Sequence, residues 1–411
     1  MRRHTAIIRP RNKSQNQMIE LHQEALSCEG GAGEISLAFH RGARGFAQLR
    51  EQWRQIDNSF SGKRFFHLYS WYRGYIECLE HDPDSVMFCV MSRGSSPVAV
   101  FPLKMAAQKV CGIPLRVLQV PTYDHMDLGD FIFSKTEDNA TLVRTLVQRL
   151  RRSSGVAWDM IRIPHALEDS AVAFALRHAP PPLWRTTLAK KSNYANCAMG
   201  YDQVAANFDG HFRRNIRRLS RRAREMGTLQ FHSYRSVEDI NHHFHELLRV
   251  EAAGWKGEGG TNTAIACDEE ASRFYKILIE GFGPAGQCML NLMLLNEKCI
   301  AGQLCLVVDG TVYILKIGFD ETCATIAPGN LIMEQLFHQC ADDKQIDTIS
   351  FVTGKDWNYL WGAKSLLVYS HQIFNRATLR GWTGYLLYRM KDLARSLAGF
   401  SGSKRNNPAT T

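Results

Sequence analysis

Hydrophobic positions fall into two alternating rhythms along the chain, and the clearest stretch runs from Gly286 to Val352. Two apolar runs, Gln287–Leu295 and Cys299–Val308, are parted by the polar turn Asn296-Glu297-Lys298 and predict a hairpin. A third run, Thr311–Gly318, follows an Asp309-Gly310 turn signal. The rhythm then changes: Leu331, Ile332, Leu336 and Phe337 recur at helical spacing within 326–340, with Pro328 in the first turn, where a missing N–H costs nothing. A strand over Ile346–Val352 closes the unit. This order puts a helix N-terminus beside the end of a central strand, and its unpaired N–H groups and positive dipole end suit a phosphate or carboxylate. An ordinary helix start, with Gly329 relieving a tight turn, reads the same residues without a ligand.

The same order occurs earlier. A strand over Ile35–Phe39 and a helix over Gly45–Asp57 come first. Leu68, Trp71, Tyr72, Tyr75, Ile76 and Leu79 then share one helical face, a stripe that reads as core packing. A hairpin (Val86–Ser92, Pro97–Met105), a strand (Leu115–Val120), the polar loop 121–131, a helix (Asn139–Arg152) and a strand (Trp158–Ile163) follow. VAWDMIRI (156–163) corresponds to QIDTISF (345–351), with an aspartate entering a buried strand in each. The offset is roughly 190–200 residues, and we read an internal duplication. Later elements are a strand (Leu229–Tyr234), helices (Val237–Ala253, Glu269–Gly281), a strand (Ser365–Phe374) and a helix (Ala377–Leu397). The expected organisation is a basic, disordered leader (1–33), a first α/β unit (34–200), a basic connecting helix (201–227), a second α/β unit (228–398) and a disordered tail (399–411).

Composition supports a globular protein: 411 residues, 45% hydrophobic and 22% charged. No run of about 18 apolar residues predicts a membrane-spanning helix. The N-terminus MRRHTAIIRPRNKSQNQ lacks the apolar core of a secretion signal; a translation start upstream of the true one gives the same sequence. The 11 cysteines are scattered, with no C-x-x-C pair, which argues against a metal site or disulfide framework and for buried thiols in the cytoplasm. The net charge of +10 resides largely in HFRRNIRRLSRRAREMG (211–227) and the termini. Phe212, Ile216 and Leu219 form a narrow docking stripe there, and arginines cover the rest. It reads either as a solvated connecting helix or as a cradle for a polyanion such as tRNA, a nucleotide-sugar or a membrane surface.

Three motifs together resemble one family: F-R-R-N-I-R-R in the basic helix, E-A-A-G-W-K-G…G-T-N-T-A-I (251–265), and G-F-D…A-P-G-N-L-I-M-E followed by F-V-T-G-K-D-W-N-Y-L-W. The set is similar to the CelD-like branch of the GNAT acyltransferases, related to the FemAB peptidyltransferases, over roughly residues 34–395. The resemblance implies an α/β fold of tandem GNAT domains, each a mixed central sheet flanked by helices. It also implies transfer of an acyl group from acetyl-CoA or another acyl-CoA, a co-substrate rather than a permanently bound cofactor. The implied acceptor is an amine or hydroxyl of a saccharide, peptide or envelope precursor, in exopolysaccharide or cellulose production. One departure stands out. The usual pyrophosphate loop Q/R-x-x-G-x-G/A is absent, and the chain reads E-T-C-A-T-I-A-P-G-N (321–330). Ile326, Ala327, Gly329 and Asn330 are left to meet the phosphates. FemAB-type relatives use aminoacyl-tRNA, so that donor stays open, as does a non-catalytic role in assembly.

Acyl transfer to an amine needs a base, oxyanion donors and alignment. Glu251, before the glycine loop, is one candidate base; the alternative is a surface carboxylate on a last helical turn. Asp356 follows a strand end and is the other, or else the N-cap of a helix over Trp357–Leu360. Trp255 and Lys256 project from the glycine loop, and Lys256 suits an anionic group. Trp357 and Tyr359, with Trp361, form either an acceptor wall or aromatic core. Tyr123, Asp124 and His125 are read as a substrate-facing loop or a plain surface loop, and no metal is assigned. His211, His242, His243 and His245 read as solvated helix positions.

Overall fold

The computed structural model describes residues 35–403, except positions 61, 124, 125, 127, 136, 154, 255, 256 and 258, and side chains of its last helix as far as Arg395. The predicted leader and most of the predicted tail lie outside the described residues. In the first half come β1 (Ile35–Arg41), α1 (Gly42–Ala47), α2 (Arg50–Ser59), α3 (Tyr69–Gly74), β2 (Val86–Arg93), β3 (Ser96–Val110), β4 (Ile113–Gln119) and β5 (Ile132–Phe133). These are followed by α4 (Asn139–Arg152), β6 (Met160–Leu167), α5 (Ala171–His178) and β7 (Trp184–Asn196). Two helices, α6 (Tyr201–Ala206) and α7 (Gly210–Met226), lead to the second half. It comprises β8 (Leu229–Tyr234), α8 (Val237–Ala252), α9 (Glu269–Phe282), β9 (Cys288–Leu295), β10 (Lys298–Val308), β11 (Thr311–Phe319), α10 (Pro328–Asp342), β12 (Thr348–Ser350), β13 (Lys364–Phe374) and α11 (Leu379–Ser403).

All the strands lie in one mixed sheet, in the order β1-β2-β3-β4-β6-β13-β7-β12-β11-β10-β9-β8, with β5 paired to β3. The duplication is visible in register. Val117–Gln119 of β4 runs parallel to Met160–Arg162 of β6, and Thr311–Tyr313 of β11 runs parallel to Thr348–Ser350 of β12. The two aspartates matched in sequence, Asp159 and Asp347, each precede the later strand of their pair. At the centre the halves exchange strands. β7 from the first half bonds to β12, and β13 from the second bonds to β6 and β7.

One face of the sheet is covered by α1–α3 and α8–α9 over a shared apolar core, the other by α4–α5 in the first half and α6, α7 and α10 in the second. The aromatic stripe of α3 is core, as expected: Trp71, Tyr72, Tyr75, Ile76 and Leu79 are buried. α3 crosses α9 closely at glycine. A Cβ on Gly74 would sit 2.8 Å from the Phe274 ring, and one on Gly281 would sit 2.6 Å from Ser70.

Several boundaries depart from expectation. The helix expected over Gly45–Asp57 is two short helices, and the one over Leu68–Leu79 widens into a π-turn at Tyr75–Leu79. The strand expected over Ile346–Val352 keeps ladder pairing only at Thr348–Ser350, because Phe351 N–H turns to Asn193 O of β7. α11 continues to Ser403, into the region expected to be disordered tail. The connecting helix expected over 201–227 is two helices, α6 and α7, and strand β7 and helix α5 were not anticipated.

Candidate active site

β11 is nine residues long but pairs with β12 over only its first three. From Ile314 onward its ladder pairing among the described strands is with β10, while the chain beyond Ser350 leaves for β7, so β11 and β12 diverge in a wedge at the C-terminal end of β11. Val352 stands at the divergence with φ 59, a left-handed conformation that is rare for a β-branched residue. Thr353 N–H closes a tight turn onto Phe351 O around it. Gly354 is required just beyond: a Cβ there would meet Lys191 backbone O at 2.7 Å.

A bulge shapes the other wall. Leu304 faces Lys316 and Cys305 faces Ile314, which leaves Leu315 as the extra residue of β11. Because side chains alternate along a strand, the insertion turns Lys316 to the same face as Leu315, toward α8 and α9. There Lys316 Nζ lies 3.5 Å from Glu251 Oε1 and 5.5 Å from the centre of the buried Tyr275 ring. Glu251 is 2% exposed, and its Oε2 accepts the Ile265 N–H at 3.1 Å. The surface reading of Glu251 is thereby corrected: its carboxylate ties the far end of the glycine loop (254–264) to the end of α8. Gly318 permits this packing, since a Cβ there would lie 2.6 Å from Glu251 Cα.

After β11, Asp320 caps the turn Glu321–Ile326 by accepting from Thr322 N–H and Oγ1 (3.0 and 2.6 Å) and pairs with Lys298 at 2.8 Å. Those bonds, led by the one from Lys298, hold its pKa down at about 2. Ala327 has φ 46 and stands at the N-cap of α10 without a side-chain cap. Its carbonyl takes the N–H groups of Asn330 and Leu331. Pro328 has no N–H, so within the first turn Gly329 alone keeps an N–H without a partner among the described residues. The left-handed residue of this loop is thus Ala327 rather than a glycine; a Cβ on Gly329 would come only as near as 3.3 Å to the Phe319 ring. Ile326 is buried in core, so it can offer a ligand only backbone.

The first half has the same geometry in a closed form. Asp138 caps α4, accepting from Ala140 N–H (3.3 Å) and Thr141 N–H (3.0 Å). Beyond β4, Gly129 N–H bonds to His165 O, and Met126, Leu128 and Phe131 of the intervening loop are buried.

Asp356 is exposed and opens a short 3-10 helix, Asp356–Trp361; it is not its N-cap. Lys355 holds that position, and the buried Asn358 accepts the Lys355 N–H at 2.8 Å. Asn358 continues through Asn193 and Ser365 to the Tyr359 hydroxyl, with links of 3.2, 2.7 and 2.8 Å. Trp357 and Tyr359 are each 42% exposed, whereas Trp361 is buried against Phe208, Phe212 and Phe337. The predicted aromatic set therefore divides, with one ring in the core and two outside. Tyr123 is half-buried against the core shared by both halves. Asp124, His125, Trp255 and Lys256 lie outside the described residues. Sequence reasoning missed Lys316, Gly318, Asn193 and Ser365; a lone lysine in the apolar run TVYILKIGF was the available signal.

α7 docks through Phe212, Ile216, Leu219 and Ala223 and runs beside α10 and the Glu321–Ile326 turn. Arg214, Arg217, Arg218, Arg221, Arg222 and Arg224 are exposed, and Arg213 is half-buried.

Residues 210–359 match the family model described as an acetyltransferase (GNAT) domain. The crystal structure of FemX superposes with a TM-score of 0.53 at 11% identity, covering 80% of this chain and 96% of that one. A protein of unknown function from Bacteroides thetaiotaomicron gives 0.49 at 13% identity over 80% and 97% of the two chains. A tandem GNAT protein from the clavulanic acid pathway gives 0.41 at 8% over 82% and 98%. No curated protein matches the sequence. The matched GNAT domain lies in the second half, and the two halves repeat one parallel strand pairing within a single mixed α/β sheet flanked by helices.

Proposed function

We propose that the chain is an acyl-CoA-dependent N-acyltransferase whose second unit binds the donor. The observation that carries this is the contrast between the halves: the wedge beside β12 and the uncapped start of α10 are open, while the corresponding first-half features are filled by the chain's own loop and by Asp138. Acetyl-CoA is the co-substrate of GNAT domains. In this reading its pyrophosphate sits at Ile326, Ala327, Gly329 and Asn330, where the Gly329 N–H and the helix dipole meet it. The acyl arm enters the wedge where β11 and β12 part. The acceptor is an amine or hydroxyl of a saccharide, peptide or envelope precursor in exopolysaccharide or cellulose synthesis. It is aligned by Tyr123, Asp124, His125, Trp255, Lys256, Trp357 and Tyr359. Asp356, exposed at the strand end, takes the proton of the acceptor's nitrogen or oxygen as that atom attacks the thioester carbonyl and returns it to the departing sulfur, so that CoA leaves as the thiol. Glu251 is the alternative base and, as placed, fixes the glycine loop and Lys316. Buried thiols at Cys89, Cys288 and Cys305 suit the reducing cytoplasm.

Calorimetric titration with acetyl-CoA and a longer acyl-CoA, on the parent and on Gly329→Glu, tests this. Binding by the parent and loss in the variant are expected; no heat with either ester sinks the CoA donor. A second reading, a FemAB-like transfer from aminoacyl-tRNA, is favoured by the exposed arginines of α7 beside α10. Salt-sensitive tRNA binding lost in Arg217→Glu/Arg218→Glu would select it. Failure of both donors would leave a non-catalytic assembly role.

A further inference from the structure

Helix α11 has two apolar faces, and among the described residues only one is covered. Its inner face packs Tyr385, Leu387 and Tyr388 against Leu115 and Phe374, and a Cβ on Gly384 would lie 2.9 Å from Leu115. Arg185, buried in β7, clamps this face by donating two bonds of 2.6 Å to Asp392 and one of 2.6 Å to Gln372. On the opposite side Leu379 (84% exposed), Trp382, Leu386, Met390 and Leu393 (63%) stand in solvent. At 3.6 residues per turn these five positions fall within a sector of roughly 80°, a continuous stripe rather than scattered exposed side chains.

The charges beside the stripe are of one sign. Arg389 borders the stripe on one side and Arg380 stands beyond it on the other, both exposed, whereas Lys391 and Arg395 fall on the far side of the helix; its one acidic residue, Asp392, is bound by Arg185. Apolar and aromatic side chains along one side, with arginine at its borders, are what a helix needs to lie in the interface of an anionic bilayer. Self-pairing through this stripe would set these cations against each other with no carboxylate on the helix to answer them. The arginine helix α7 differs, since Phe212, Ile216, Leu219 and Ala223 are turned into the core. No helix among the described residues is long and apolar enough to cross a membrane, so the contact would be with its surface.

We propose that α11 is a peripheral docking surface for anionic lipid, with Leu379, Trp382, Leu386, Met390 and Leu393 entering the headgroup region and the bordering Arg380 and Arg389 meeting lipid phosphate. The test is co-sedimentation of the full chain with phosphatidylcholine vesicles, with and without phosphatidylglycerol, at low and raised salt. Binding to the anionic vesicles is expected, weakened by salt. It should fall about tenfold or more in Leu386→Glu/Met390→Glu and in Arg380→Glu/Arg389→Glu. The altered side chains are exposed, so thermal unfolding of both variants should match the parent. Protein that stays in the supernatant with anionic vesicles overturns the proposal, as does binding undiminished by Leu386→Glu/Met390→Glu. Light scattering that finds a dimer, dissociated by the same pair, with no vesicle binding would assign the stripe to a second copy and overturn it equally.

Discussion

Replacing Gly318 by alanine tests whether close contact between β11 and α8 builds the wedge. The added Cβ would stand 2.6 Å from Glu251 Cα and 2.9 Å from both its N and Cβ, where ordinary contact begins at 3.4 Å. These neighbours are not the tips of flexible side chains; two of the three are backbone of a helix packed on the core. Overpacking costs about 1–3 kcal/mol, and a rigid obstacle puts this case near the upper end, about 3. Alanine recovers about 0.5–1 kcal/mol that glycine loses to chain entropy in a strand. The net expectation is a loss of about 2 kcal/mol, read as a lower urea midpoint at unchanged m-value. Gly329→Ala is the internal control. Its Cβ would approach only the Phe319 ring at 3.3 Å, and about 1 kcal/mol of helix propensity offsets that contact, so stability should stay within about 0.5 kcal/mol of the parent. A Gly318→Ala protein as stable as the parent, or equal losses in the two variants, would refute the packing argument.

Two other outcomes follow from the same region. Asp320, with its pKa lowered to about 2 from an ordinary 3.8, contributes stability that is present above the unfolded value and lost as pH falls from about 4 through about 2. Removing its main partner by Lys298→Met should shift the acid unfolding limb to higher pH, and an unmoved limb would contradict the role given to that pair. Trp357→Ala should leave stability within about 1 kcal/mol, because the ring is exposed and touches mainly Phe351, yet raise KM for the acceptor several-fold without changing acyl-CoA affinity. An unchanged acceptor KM would remove Trp357 from the site.

Local pattern carried far where one side of an element faces core and the other water. The expected bounds of β8 and α4 agree with the structure residue for residue. It failed where pairing, not burial, defines the element. β7 reads WRTTLAKKSNYAN, with Lys190, Lys191 and exposed Leu188 in its middle, so it lacks the apolar alternation of a strand. Its strand identity comes from backbone bonds to β12 and β13, which are distant in sequence. The candidate site shows the same limit. Glu251 was legible as a carboxylate before a glycine loop, but its burial depends on a bulge more than 60 residues later that turns Lys316 toward it. Asn358 was invisible as a buried polar centre because its partners come from β7 and from the backbone of the preceding loop.

The crossed central strands bear on how the chain is made. β6 presents an edge that only β13 fills, and β13 lies some two hundred residues further along. A ribosome therefore releases a first half whose sheet stays unfinished until the last strand, β13, has emerged, so neither half can complete its hydrogen bonding alone. Contacts so far apart in sequence slow folding and prolong exposure of an unpaired edge. Once closed, the same arrangement makes separation of the halves require breaking strands at the middle of the sheet rather than parting two surfaces. A chain cut before Lys364 would lose more than its own terminus: it would leave the first half open beside β6.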